Sequence, residues 1–218
     1  MTSEFFAYNH SFDKIIDNDP VKNSWGDYWY LNGHPYEKYA WSTEVFSVKE
    51  IFDIITLGKR LNTQRATTGG SGVNCLDHRK SFVSWISPNE ATSWIFKRLT
   101  GIIKQHNEKY FNYDLTMIEK LQFTYYSSEE EGMYKQHIDP LEWSHPHNRK
   151  LSLVLQLSDP SEYEGGELRL YHGHIPTIIK KELGLLVSFP SYTLHEVTPV
   201  TKGERYSLVV WVHGPAFK

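Results

Sequence analysis

The chain predicts a mainly β fold with flanking helices and a double-stranded β-helix (jelly-roll) core, and three observations support this. From about residue 118 it breaks into eight short apolar or alternating runs, at 118–126, 133–138, 150–157, 166–171, 176–181, 184–189, 192–197 and 205–213. Turn residues punctuate them at Asp159-Pro160, Gly165-Gly166, Gly173, Gly184, Pro190-Ser191 and Lys202-Gly203. That density of short strands is the pattern of two packed antiparallel sheets. Upstream, two helix-start signals precede apolar stripes of helical period, so helices should cover the outside of a sheet.

Taken in order, residues 1–20 carry acidic and polar interruptions without an apolar h-region, and no secretory signal is expected. No run reaches transmembrane length. Seven Trp and fourteen Tyr are many for this length and crowd residues 25–41, as core or helix-packing residues with a minority able to wall a cleft. Ser47-Val-Lys-Glu50 is a capping box, after which Val48, Ile51, Phe52 and Ile55 recur at helical spacing. Thr67 to Asn74 reads as a flexible loop, since it lacks the Lys-Ser/Thr ending of a phosphate cradle. The single cysteine, Cys75, excludes an internal disulfide framework and fits a reducing, cytoplasmic setting. Ser87-Pro-Asn-Glu90 is a second box with proline at the first helical position, followed by Ala91, Trp94, Ile95, Leu99 and Ile102 on one stripe. The expected organisation is residues 1–117 as an aromatic-rich segment with supporting helices and 118–218 as the core, together one compact domain.

The chemistry lies in that second part. His137-x-Asp139 ends the strand at 133–138, and alternation sends residues i and i+2 to the same face, so both side chains can converge on one ion. His195, on the 192–197 strand with Thr193 and Val197 on its face, is the third candidate. Two imidazoles and a carboxylate capping one face of an octahedral metal are the facial triad of non-heme iron(II) oxygenases. His-x-Asp alone is a weak signal. It gains specificity from the last strand, where Arg205, Ser207, Val209 and Trp211 share a face. A guanidinium inside a barrel needs an anion, and one that arrives with a ligand explains its burial. Ser207 can donate to the same carboxylate. 2-Oxoglutarate meets both demands, chelating iron through its 2-oxo acid end while its distal carboxylate reaches Arg205.

Arg149 to Pro160, Tyr163-Glu-Gly-Gly-Glu-Leu168 and Phe189 to Arg205 resemble the PKHD-type hydroxylases, prolyl 4-hydroxylase-like members of the iron(II)- and 2-oxoglutarate-dependent dioxygenases. The resemblance runs from about residue 118 to 214 and fades upstream. It implies that His137, Asp139 and His195 hold Fe(2+), that Arg205 anchors 2-oxoglutarate, that O2 is the oxidant, and that ascorbate is a candidate requirement. It also places Tyr126 on a cosubstrate-contacting tyrosine, with Tyr125 as the substitute because the loop Ser127 to Gly132 is about two residues longer here. Gln156 falls where some relatives carry a cosubstrate-binding tyrosine, as a polar contact or a packing residue. Tyr134 is expected to support the ligands from behind. The implied outcome is hydroxylation of an unactivated C–H bond in a prolyl, peptidyl or amino-acid-like substrate with release of succinate and CO2. Desaturation or epimerisation are the variants, and Asp139 argues against halogenation.

A net charge of −3 offers no broad footprint for a phosphate backbone, so no nucleic-acid partner is expected; small-molecule or peptidyl substrates are favoured, and the oligomeric state stays open. His145-Pro-His147 reads as a solvated loop, His172-Gly-His174 as a surface turn, and Glu129 to Glu131 as a solvated acidic loop. The rival readings are a non-catalytic jelly-roll 2-oxoglutarate sensor or small-ligand module, and a zinc hydrolase. The hydrolase has no reason to bury Arg205 and Ser207.

Overall fold

The computed structural model describes residues 38–67, 76–139 and 148–215, with the strand residues 21–23 and 26–28. The readings on the aromatic run before residue 38, on the loop 68–74, on Cys75 and on His145 and His147 fall outside the described residues. Two compact units divide the chain at Glu37. In the first, β1 (Val21–Asn23) and β2 (Gly26–Tyr28) form an antiparallel pair with Val21 opposite Tyr28.

The second unit runs β3 (Ala40–Ser42), α1 (Val48–Arg60), β4 (Gln64–Arg65), β5 (Arg79–Lys80), β6 (Phe82–Ile86) and α2 (Ser93–His106). There follow β7 (Met117–Ile118), β8 (Leu121–Ser127), β9 (Met133–His137), β10 (Asn148–Gln156), β11 (Tyr163–Gly165) and β12 (Leu168–Tyr171). The last are β13 (Thr177–Ile178), β14 (Leu186–Pro190), β15 (Leu194–Val197) and β16 (Val200–Gly214). The larger sheet has the order β3-β14-β10-β16-β8-β6-β4, with β7 and β11 also on β16; the smaller runs β13-β12-β15-β9-β5. This is the antiparallel two-sheet core the sequence predicts. Both sheets also extend upstream of residue 118, through β3, β4 and β6 in one and β5 in the other.

Alternation assigns the two faces of the larger sheet. Leu151, Leu153 and Leu155 of β10, with Phe123, Leu208 and Val210, join Ile51, Ile54, Ile95, Leu99 and Ile103 of the helices in one core. Each fully buried aliphatic side chain there contributes roughly 1.5–3 kcal/mol. The opposite face carries Val154, Val187, Phe189 and Tyr126 against Leu168, Leu170 and Val197 of the smaller sheet. Ser152, Gln156, Arg205 and Ser207 are buried on that second face, and the site is built there.

The helices depart from expectation in instructive ways. Ser47 caps α1 with the reciprocal box, its Oγ accepting from the Glu50 N–H and its own N–H donating to Glu50 Oε2 at 2.7 Å. The buried stripe, however, is Ile51, Ile54 and Gly58; Val48 and Phe52 are exposed. Gly58 decides the rotation, because a Cβ there would lie 2.3 Å from the Phe123 ring, so the helix rests on the sheet at its smallest residue. α2 begins at Ser93 with Thr92 as N-cap, later than the Ser87 box suggests. Side chains capture the intervening backbone: Thr92 Oγ1 donates to the Ser87 carbonyl at 2.7 Å, and Asn89 Oδ1 accepts from Thr92 N–H. Such local bonds compete with helix initiation.

His106, at the end of α2, is buried between two hydroxyls, Nδ1 lying 2.8 Å from Ser188 Oγ and Nε2 2.8 Å from Ser42 Oγ. Burial pushes its imidazole down from 6.5 to about 4, so the folded protein holds it neutral. A depressed folded pKa gives stability that is present above pH 6.5 and lost as pH falls through about 4, amounting to about 3 kcal/mol. Urea midpoints at pH 7.5 and 4.5 should therefore drop further in the wild type than in His106→Asn. Equal drops would show that this imidazole does not carry the effect.

Candidate metal centre

The smaller sheet sets the two histidines side by side. β15 pairs with β9 so that His195 stands opposite His137, with ring centroids 4.1 Å apart. Asp139, just past β9, is held by its own N–H donating to the Ser191 carbonyl at 3.0 Å. The ligand atoms of His137, Asp139 and His195 all lie within 4.8 Å of one another, and His195 Nε2 is 3.9 Å from Asp139 Oδ2. Among the described residues no other group of three or more His, Cys, Asp or Glu side chains could share an ion.

Supporting bonds prepare each donor. His137 Nδ1 is 2.7 Å from the Lys135 carbonyl and His195 Nδ1 is 2.8 Å from the Thr193 carbonyl. A carbonyl can only accept, so both Nδ1 atoms carry the proton and both Nε2 lone pairs are free for a metal. Burial, with His195 beside it, pushes the His137 imidazole down to about 2, keeping it in the neutral form a ligand needs. Ser152 Oγ donates to Asp139 Oδ2 and lies 2.9 Å from Ser191 Oγ, which holds the carboxylate in place. Phe189 packs edge-on against His195 at 4.9 Å, and Tyr134 lies flat on His137 at 3.4 Å.

On β16, Arg205 is 1% exposed; Nη1 meets Ser207 Oγ at 3.3 Å and the Tyr163 hydroxyl lies beside the guanidinium, yet Nε and Nη2 are buried without a hydrogen-bond partner. Tyr126 stands opposite Arg205 on β8, its ring 5.4 Å from the guanidinium carbon. It packs in the same cluster as Phe189 and Tyr134, which touch the two histidines, so the guanidinium and the donor set share one interior. Tyr125 points to the other face, where its hydroxyl donates to Glu204 at 2.8 Å. Gln156 is buried on the inner face but its amide donates to the Lys180 carbonyl at 2.5 Å. Further along, Trp211 stands opposite Ser152, 6.3 Å from Trp85, and its indole N–H is buried without a partner. Two donor nitrogens of a permanent cation left unpaired inside a core are a strong sign that an anion belongs there.

Gly166 makes room for that guanidinium. At φ +60 a Cβ there would come within 2.9 Å of Arg205 Cδ and 3.0 Å of Val200 Cγ2. Gly166→Ala should lose about 1–2 kcal/mol from backbone strain alone, whereas Gly173→Ala, which meets nothing within 4 Å, should be near neutral. Urea denaturation of the two variants checks the contrast.

His172 and His174 do not join the centre: His174 is exposed, and His172 is half-buried against Tyr39. In the acidic loop Glu130 makes a two-pronged bond to Arg65, and Glu131 reaches Lys80. Sequence reading missed Ser152, Ser191, Gly166 and Arg79. Ser152 had a usable signal, a hydroxyl between Leu151 and Leu153 in a leucine-rich strand; Gly166 was seen only as punctuation.

Residues 121–213 match the model of the 2OG-Fe(II) oxygenase superfamily. A PKHD-type hydroxylase of Teredinibacter turnerae is 39% identical over 85 residues, 37% of this chain and 38% of that one. PKHD-type hydroxylase YbiX of Escherichia coli O157:H7 is 42% identical over 83 residues, 36% of each chain. The matches thus span well under half the length of these relatives. Among solved structures, a Pseudomonas putida prolyl-4-hydroxylase superposes with a TM-score of 0.66 at 20% identity, covering 82% of this chain and 94% of that one. A prolyl hydroxylase from Trichoplax adhaerens, in complex with a hypoxia inducible factor oxygen degradation domain peptide fragment, gives 0.64 at 19%, covering 81% and 84%. These likenesses establish the fold.

Proposed function

We propose, from the match of residues 121–213 to the model of the 2OG-Fe(II) oxygenase superfamily, that the chain is an iron(II)- and 2-oxoglutarate-dependent dioxygenase that hydroxylates an unactivated C–H bond. The observation that carries this reading is the pairing of a three-donor centre with a buried guanidinium whose Nε and Nη2 lack partners. His137, Asp139 and His195 would hold Fe(2+). Arg205, Ser207 and Tyr126 would hold the distal carboxylate of 2-oxoglutarate. Iron and 2-oxoglutarate held there would, with O2, supply the oxidising equivalent for hydroxylation, with release of succinate and CO2.

Everything else falls to the protein. His137 and His195 present fixed Nε2 lone pairs, and Ser152 holds the Asp139 carboxylate in place. Arg205 neutralises and orients the incoming dianion by a charge-assisted contact. The apolar cluster of Phe189, Val154, Leu168 and Val197 excludes water from the reacting volume. For the substrate, Trp211 offers an unpartnered indole N–H beside Trp85, which suits a carbonyl acceptor on an apolar body. That supports a peptidyl or amino-acid-like substrate. Among the described residues no helix is long and apolar enough to cross a membrane.

Anaerobic addition of iron(II) and 2-oxoglutarate should produce a weak visible charge-transfer band. On admitting O2 with a panel of peptides and amino acids, mass spectrometry should find succinate in proportion to a product 16 mass units heavier, and omission of ascorbate tests that requirement. Tight 2-oxoglutarate binding without turnover of any substrate would overturn the enzyme reading in favour of a sensor.

A further inference from the structure

Resting on the dioxygenase reading, we propose that Arg79 is a positioning residue for the iron site, acting through Tyr134 on the ligand His137. The three side chains form a stack. The Arg79 guanidinium carbon lies 4.4 Å from the Tyr134 ring centroid, and Tyr134 lies 3.4 Å from His137 at an interplanar angle of 15°. Pairing of β5 with β9 sets this up, placing Arg79 opposite Tyr134 while Lys135 N–H donates to the His78 carbonyl at 2.9 Å. The His78 ring meets Tyr134 edge-on at 5.7 Å, closing the pocket around the tyrosine.

His137 needs this support more than the other two donors. His195 and Asp139 are buried, and each is fixed from a neighbouring strand or turn: Phe189 packs on the first, Ser152 and Ser191 bond the second. His137 is half-buried, and its one hydrogen bond goes to Lys135 two residues back on its own strand. That bond fixes the tautomer but leaves the ring free to tilt about the contact. The flat face of Tyr134 limits the tilt, and the cation on the far face of Tyr134 holds that ring in turn by its attraction to the π system.

Arg79 has no comparable structural reason to be a cation. It is 6% exposed, and among the described residues it makes no ion pair. Its hydrogen-bond partners are neutral: Nε donates to Ser81 Oγ at 2.9 Å, Nη1 to the Thr67 carbonyl at 3.3 Å, and the guanidinium also bonds the Tyr134 hydroxyl. A buried cation without a carboxylate works against stability. Its removal should therefore leave the fold intact or firmer while loosening the metal site. That opposition separates a positioning role from a merely structural one, which would lower stability and metal affinity together. Arg79 also stands outside the 121–213 segment that matches the superfamily.

The test is an anaerobic Mn(II) titration of the full chain followed by electron paramagnetic resonance, alongside urea unfolding of the metal-free protein. Removal of a residue that orients a metal ligand typically weakens binding roughly 10- to 100-fold. Arg79→Gln should fall in that range with an unchanged or higher urea midpoint, Arg79→Lys should lie between it and wild type, and Tyr134→Phe, which keeps the ring stack and loses only the hydroxyl bond to the guanidinium, should lose no more than Arg79→Lys. In a Tyr134→Leu background, Arg79→Gln should cause no further loss. An Arg79→Gln affinity within twofold of wild type, or a loss matched by a lower midpoint, overturns the proposal and leaves the dioxygenase reading standing. A wild-type protein that binds neither Mn(II) nor iron(II) overturns both.

Discussion

Arg205→Met is expected to raise the KM for 2-oxoglutarate by roughly 100-fold or more and, in the same protein without cosubstrate, to raise the melting temperature. Both effects have one cause. The guanidinium is buried with Nε and Nη2 unpaired, beside Ser207 Oγ, the Tyr163 hydroxyl and the face of Tyr126. Each buried unsatisfied polar group costs about 1–3 kcal/mol, more when charged. Methionine fills most of the same channel past Gly166 without that penalty. For a chain of this size, each kcal/mol corresponds to roughly 2–4 °C. With 2-oxoglutarate bound, the balance reverses, because truncating one partner of a buried charge pair costs about 2–5 kcal/mol. Thermal melts with and without cosubstrate should therefore cross: the variant melts higher alone and gains little on adding ligand. A variant that melts lower alone and keeps its KM would mean that the cation serves the fold.

Part of this site is legible in the sequence. The donor set was legible because strand alternation is local: His137 and Asp139 need only a period of two. Arg205 and Ser207 were legible because a charge in an apolar strand demands an explanation. What supports them was not. Ser191 bonds Ser152 across 39 residues, and Arg79 meets Tyr134 only because β5 closes the edge of the smaller sheet, a pairing no local pattern announces. The choice between Tyr125 and Tyr126 also required the register, which puts Tyr126 opposite Arg205 and turns Tyr125 outward to Glu204. The strands upstream of residue 118 are two to five residues long, too short for periodicity to separate them from loops around the two helices. The late start of α2 reflects a contest between two local signals, won by Asn89 and Thr92.

Asp139→Ala should abolish iron-dependent stabilisation and turnover while changing the metal-free protein little. The carboxylate contributes one of the three donors, and neutral imidazoles alone leave the charge of a divalent cation uncompensated in a buried site. Loss of a partner that merely orients a ligand already weakens metal binding roughly 10- to 100-fold, so loss of the ligand itself must exceed that. Ser152→Ala, which leaves Asp139 in place but frees its Oδ2, should fall within that lesser range. Metal-free stability is a separate matter. Removing the carboxylate strands no donor, because Ser152 Oγ sits 2.9 Å from Ser191 Oγ and can bond there instead. It also relieves a buried anion whose nearest charged-group candidate, His195 Nε2, is 3.9 Å away. A metal present at 100 times its dissociation constant stabilises the folded state by about 2.7 kcal/mol. Thermal melts with Mn(II) should therefore rise for wild type, rise only at higher metal concentration for Ser152→Ala, and stay flat for Asp139→Ala. Flat wild-type melts, or an Asp139→Ala variant that still gains stability from the metal, would place the ion elsewhere and remove the basis for the oxygenase assignment.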